Sequence, residues 1–163
     1  MTNYRVRNTE ENDFVEIADL AEKCSPMATE RNSIYHIFTK FFKSTSLVAE
    51  LDSGEMAGFL LGFISQENPE EAYMHLLCVD PKIRGRGIGK ALVEKFLELA
   101  SLKGCKRVYL ITKPINWKSI SFYRNLGFLE EKEGNTINIM GATAIRNYNG
   151  MGEHMVVFYK DIE

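Results

Sequence analysis

Residues 79–91 read Val79-Asp80-Pro81-Lys82-Ile83-Arg84-Gly85-Arg86-Gly87-Ile88-Gly89-Lys90-Ala91 and set three glycines among fixed positive charges. They join an apolar run to a helical pattern. Glycine lets the backbone approach a ligand closely and adopt positive φ. Amides at a helix start point at an anion, and the helix dipole favours it. The chemistry of such a turn is phosphate or pyrophosphate binding. Two nucleotide templates fail. The Walker pattern needs a glycine, four residues, then Gly-Lys-Ser/Thr, but Arg84 holds the first position and Ala91 follows Lys90. The dinucleotide pattern Gly-x-Gly-x-x-Gly meets Gly85 and Gly87 but finds Lys90 at its third position.

A third pattern, Gln/Arg-x-x-Gly-x-Gly/Ala, is met by Arg84, Gly87 and Gly89. A second stretch, Asn116-Trp117-Lys118-Ser119-Ile120-Ser121-Phe122-Tyr123-Arg124-Asn125-Leu126-Gly127-Phe128, follows after one strand. It matches Asn-x-x-Ala/Ser-x-x-Phe-Tyr-x-x-x-Gly-Phe at every fixed position. On these two stretches, in this order, the chain resembles the GNAT superfamily of acetyl-CoA-dependent N-acetyltransferases. The motifs cover about residues 70 to 128; the rest agrees mainly in element order. The segments Asn32–Tyr35, Thr45–Glu50 and Gly58–Gly62 are also similar to diaminobutyrate acetyltransferases of compatible-solute synthesis. The chain departs from that subfamily at Met74-His75.

The resemblance implies acetyl-CoA as acetyl donor, no metal, and direct attack by a primary amine of a small molecule, amino acid or peptide in a ternary complex. The alternative is a non-catalytic acyl-CoA-binding or regulatory module. Cofactor contacts carry over to Leu77, Cys78, Val79, Arg84, Gly85, Arg86, Gly87, Ile88, Gly89, Lys90, Asn116, Ser119 and Tyr123. Backbone groups of Leu77 and Val79 would pair with the pantetheine arm, and the Val79 N–H would face the thioester oxygen. Tyr123 is the implied proton donor to the departing thiolate. For the general base, the two candidates are His75, a residue type suited to proton transfer at neutral pH, and Glu71, acting through water. Asn116 has a second reading as a plain helix cap, and Tyr123 as an aromatic packed between helix and sheet. The acceptor pocket is expected from Met27, Tyr35, His36, Phe38, Tyr148 and Met151.

The elements that must position these groups follow from periodicity. Strands are expected at Tyr4–Arg7, Leu47–Leu51, Met56–Ser65, Ala72–Val79, Arg107–Thr112, Phe128–Glu131 and Met155–Tyr159. Period two puts Glu71, Tyr73, His75 and Leu77 on one strand face. Thr9 is expected to cap a first helix carrying Phe14, Ile17 and Leu20. A second helix carries Ile34, Ile37, Phe38, Phe41 and Phe42. A third runs from Ile88 to near Gly104, and a fourth lies between Asn116 as N-cap and Gly127 as C′ residue. Residues 132–152 read as a long loop. The fold class is therefore α/β of the mixed α+β kind. One mixed sheet of about seven strands has about four helices on its faces. The resemblance makes that sheet mostly antiparallel and splayed at the cofactor site.

A chain of 163 residues suits one domain, taken as 1–163. The net charge of −2 gives no broad basic surface for nucleic acid. The polar Met1–Glu11 segment has no signal-peptide core, and no apolar run reaches the roughly 20 residues that span a bilayer. Cys24, Cys78 and Cys105 show no paired or metal-ligand spacing. They read as free thiols in a reducing, cytoplasmic setting. A homodimer is the default for association.

Overall fold

Near-continuous apolar runs over residues 47–51 and 56–64 make a hairpin buried on both faces, β2 (Leu47–Leu51) and β3 (Met56–Ile64), closed by a turn at Gly54. In the computed structural model, which describes residues 3–162, that hairpin sits within a larger sheet. Met1, Thr2 and Glu163 lie outside the described residues. Before the hairpin come β1 (Tyr4–Asn8), α1 (Phe14–Ala21) and α2 (Asn32–Phe41). After it come β4 (Glu71–Val79), α3 (Ile88–Leu102), β5 (Arg107–Thr112), α4 (Trp117–Asn125) and β6 (Leu129–Glu130). The described chain closes with β7 (Thr136–Ile139), β8 (Ala142–Ile145) and β9 (Val156–Asp161).

Seven strands form one sheet in the order β1-β2-β3-β4-β5-β9-β6. Every neighbouring pair is antiparallel except β4–β5, which is parallel because α3 carries the chain back across the sheet. The sheet separates two apolar cores. One holds Leu60, Ile88, Leu92, Phe96, Ile120 and Phe158 under α3 and α4. The other holds Ile17, Tyr35, Phe38, Phe59 and Leu61 under α1 and α2. Burying each large side chain of this kind contributes about 1.5–3 kcal/mol. Gly62 on β3 is required by close packing. A Cβ there would run into the Phe96 ring of α3 and the Tyr73 carbonyl.

Four expectations are corrected. Residues 132–152 are not one long loop, since β7 and β8 pair as a separate hairpin. That hairpin's tip is fastened by Arg124, which donates to the Gly141 carbonyl at 3.1 Å and stacks on Trp117. Thr9 does not cap α1. Its hydroxyl is buried without a hydrogen-bond partner among the described residues. The turn leading into α1 is held by Asp13 instead, whose carboxylate accepts the Glu10 N–H at 2.7 Å and pairs with Arg7 at 2.8 Å. Phe41 and Ile37 lie on the outer face of α2, while Tyr35 and Phe38 face the sheet.

The fourth correction concerns the cysteines. Cys24, just beyond α1, and Cys78, on β4, are joined as a disulfide with Cα atoms 5.8 Å apart. Only Cys105 is a free thiol among the described residues, and it is buried. The two bonded residues are 54 apart in sequence, so spacing carried no sign of the pairing.

Candidate active site

The parallel pairing of β4 with β5 lasts only three positions, Glu71↔Arg107, Ala72↔Val108 and Tyr73↔Tyr109. Beyond Tyr73 the two strands run on unpaired, to Val79 and Thr112. A cavity of about 880 Å³ opens in that gap. It is walled by β4 residues 73–79 and by β5 residues 110–112 with the chain just beyond them. The α3 N-terminus, α4 and the segment between α1 and α2 complete it. Asp80 donates its N–H to the Ala57 carbonyl on β3 at 2.8 Å. Successive residues of a strand alternate direction, so Val79 and Leu77 aim their N–H and C=O groups away from β3, into the opening.

A bulge in β4 decides which side chains share the cavity. Gly62 pairs with Met74 and Leu61 with Leu76, leaving His75 as the extra residue. A bulge of this kind reverses the facing of everything beyond it. Ala72 and Met74 pack in the α3–α4 core, whereas Leu76 and Cys78 pack in the α1–α2 core. The simple period-two reading of β4 is therefore corrected. Tyr73 and His75 face α2, while Leu77 faces the opposite layer with Val79.

At one end of the cavity, Gly87 caps α3 with φ +81° in the left-handed region. The first helical bond runs from Ala91 N–H to the Gly87 carbonyl. The amides of Ile88, Gly89 and Lys90 accordingly have no carbonyl partner among the described residues. A Cβ on Gly85 or Gly87 would meet no atom within 4 Å, and both line the cavity with Ile88, Gly89 and Lys90. Lys90 stands at this end, paired with Glu94 at 3.7 Å, and Lys113 and Lys118 also line the cavity. Arg84 donates from Nε to the Val79 carbonyl at 3.1 Å, and its Nη2 lies 3.6 Å from Cys24 Sγ. Cationic side chains around unpartnered helix amides are the donor set a pyrophosphate needs.

On α4, Asn116 Oδ1 accepts the Ser119 N–H at 3.4 Å, so the capping reading holds, and both residues line the cavity. Tyr123 does too. It is 7% exposed, wedged against Phe122, Phe128 and Phe158. Burial pushes its phenol well above the ordinary tyrosine range, so the group stays protonated throughout neutral pH.

The other end is differently charged. His75 Nε2 lies 3.0 Å from Glu30 Oε1, and both line the cavity. A carboxylate only accepts, so Nε2 carries the proton of this pair. The His75 ring stacks on Phe38, with centroids 5.2 Å apart. Glu30 is held in turn by its own N–H, which donates to Tyr35 Oη at 2.8 Å. Burial raises the Tyr73 phenol to about 12, with Tyr148 and Glu30 adding to the effect. Met27, Asn149 and Glu153 line the same region.

Of the residues singled out from the sequence, the cavity gathers His75, Leu77, Cys78, Val79, Arg84, Gly85, Gly87, Ile88, Gly89, Lys90, Asn116, Ser119 and Tyr123. Glu71 and Arg86 do not line it. Glu71 lies in the paired part of β4, opposite Arg107. Of the residues expected to form an acceptor pocket, only Met27 is in the lining. Tyr35 and Phe38 support it from behind. His36 pairs with Glu11 at 2.8 Å, and Met151 is 91% exposed. Glu30, Glu153 and the disulfide were missed. Glu30 stands in a polar segment without periodicity, and nothing local marks it.

The comparisons with known proteins bear on the family and the fold. The model of the acetyltransferase (GNAT) family matches residues 14–128, and the chain belongs to that family. A similar curated protein is the L-2,4-diaminobutyric acid acetyltransferase of Nocardia farcinica. It is 31% identical over 111 residues, which are 68% of this chain and 57% of that protein. The chain thus spans little more than half the length of that relative. Among solved structures, Ard1 of Thermoplasma volcanium superposes with a TM-score of 0.79 at 21% identity, covering 98% of both chains. The diaminobutyrate acetyltransferase of Paenibacillus lautus, solved with L-2,4-diaminobutyric acid and coenzyme A, gives 0.75 at 20% identity over the full length of both. Both likenesses show that the chain shares their fold.

Proposed function

We propose that this chain is a single-domain N-acetyltransferase that transfers acetyl from acetyl-CoA to a primary amine of a small molecule, amino acid or peptide by direct attack in a ternary complex. The observation that carries the reading is the gap between β4 and β5. It has unpartnered, cation-flanked amides at one end and the Glu30–His75 pair at the other. Acetyl-CoA would supply the activated thioester carbonyl. The amides of Ile88, Gly89 and Lys90, with Arg84 and Lys90 side chains, would hold its phosphates. Leu77 and Val79 offer backbone groups to an extended arm, as an added strand would find them. Binding remote from the reacting carbonyl supplies orientation there.

The chain's own residues then divide the proton work. The Val79 N–H is an amide available to charge developing on a carbonyl oxygen. Tyr123, kept neutral by burial, is the donor to a departing thiolate. His75 is the base that takes the ammonium proton, with Glu30 fixing its tautomer and orientation. Glu71, outside the lining, would act only through a water chain. The name of the Nocardia farcinica relative supports L-2,4-diaminobutyrate as the first amine to try.

The test is mass-spectrometric detection of acetylated product with acetyl-CoA and L-2,4-diaminobutyrate, lysine, spermidine and a short peptide with a free N-terminus. Calorimetry of acetyl-CoA binding runs in parallel. Product from at least one amine is expected. Tight binding without any product would support a non-catalytic acyl-CoA module, and no binding would overturn both readings.

A further inference from the structure

We propose that the Cys24–Cys78 disulfide is a redox-active site, with a dithiol as its chemical substrate, that sets the geometry of the acceptor end of the cavity. This rests on the reading that the amine binds beside Glu30 and His75. The segment between α1 and α2 forms that wall through Cys24, Met27 and Glu30. It has little to hold it. Glu22, Lys23, Ser25, Pro26, Ala28 and Thr29 are exposed, and only Cys24 is fully buried within residues 22–31. Two ties fasten it to β4: the Glu30–His75 pair and the disulfide. The disulfide is the covalent one, and it lands on Cys78 next to Val79, whose N–H faces the opening. Reduction would leave the wall to weaker ties, the Glu30–His75 hydrogen bond, the Glu30 N–H to Tyr35 Oη and the packing of Met27, none of them covalent.

The surroundings also suit the exchange reaction. Cys24 and Cys78 both belong to the cavity lining, and their side chains are buried, 5% and 2% exposed, so a dithiol reaches them when the weakly held 22–31 segment opens. The Arg84 guanidinium, 3.6 Å from Cys24 Sγ, would stabilise that sulfur as a thiolate. A thiolate of the dithiol attacks Cys78 Sγ, and the electron pair of the S–S bond leaves on Cys24. The second thiol then attacks the mixed disulfide and releases Cys78. The dithiol is oxidised to its cyclic disulfide, and its two protons end on Cys24 and Cys78. Arg84 also donates to the Val79 carbonyl, so a change at Cys24 is felt beside the backbone that faces the opening.

The test compares the full chain oxidised and after dithiothreitol, with Cys24→Ser as a second route to the open state. Thiol titration in denaturant should find one thiol, Cys105, in the oxidised protein and three after reduction. Amide exchange over residues 22–31 should rise at least about 10-fold on reduction, with α3 unchanged. Cys24→Ser should show the fast pattern with or without dithiothreitol. With an amine that is acetylated, its KM should rise about 5-fold on reduction, because the wall is no longer preorganised. Three thiols before reduction, or equal exchange in both states, would overturn the proposal. Absence of acetyl transfer to every amine would count against the acetyltransferase reading instead, and the exchange comparison would still decide this one.

Discussion

Replacing Gly87 by valine isolates the contribution of one backbone conformation to the phosphate end of the cavity. Gly87 is the N-cap of α3, with φ +81° and ψ 7°, and a Cβ there meets no atom within 4 Å. The cost is therefore conformational rather than a clash. A β-branched residue held in the left-handed region costs about 1–2 kcal/mol. The chain can relieve this by rotating toward negative φ, which turns the amides of Ile88, Gly89 and Lys90 away from the opening. A hydrogen bond to a charged group is worth about 1.5–3 kcal/mol. Losing one should weaken acetyl-CoA binding about 10- to 100-fold. Titration calorimetry reads the affinity, and thermal unfolding should show a fall of roughly 3–6 °C. Gly134 is the control. Its φ is +96°, a Cβ there also meets nothing, and it lies outside the cavity lining. Gly134→Val should lose similar stability and keep full affinity. An acetyl-CoA Kd for Gly87→Val within twofold of the parent would refute the reasoning.

Three further perturbations test separate parts of the structure. Tyr123→Phe removes the one polar atom of a ring that is otherwise core, so kcat should fall about 10²-fold while acetyl-CoA affinity holds; stopped assays against a fixed amine check this, and an unchanged kcat would remove the tyrosine's role. Thr9→Val deletes a buried hydroxyl with no described partner and keeps the shape, so urea unfolding should show a gain of about 1 kcal/mol. Arg5 and Arg7 hold the Glu50 carboxylate below the usual glutamate range by hydrogen bonds at 2.9 and 3.1 Å. A depressed carboxylate stabilises above its unfolded pKa and loses that contribution as pH falls through the folded one. Unfolding followed below about pH 4.5 should therefore be less acid-sensitive in Glu50→Gln than in the parent.

The elements carrying the chemistry were legible because their signals are local. Arg84 to Lys90 combine glycine freedom and charge within one turn, and α3 follows from apolar residues at helical spacing. Asn116 and Gly127 bracket α4 as the capping rules require, the asparagine bonded to the Ser119 N–H and the glycine at φ +86°. Seven sheet strands and four helices could be counted from periodicity alone. β7 and β8 could not, since they are four residues each and sit among glycines and asparagines.

What only the tertiary structure decided depends on contacts between distant segments. The parting of β4 from β5 after Tyr73 and Tyr109 is a matter of register, which no single strand encodes. The bulge at His75 needed β3 as its partner, and it moved Leu77 to the layer opposite Tyr73. Glu30 met His75 across 45 positions, and Cys24 met Cys78 across 54. Both pairings follow from α1 and α2 packing on the sheet that holds β4. The sequence by itself determined the phosphate-binding turn and the helix it starts, because backbone conformation and charge are set within a few residues. The acceptor wall and its covalent tie were set by packing, because they join segments that become neighbours only once both apolar cores have formed.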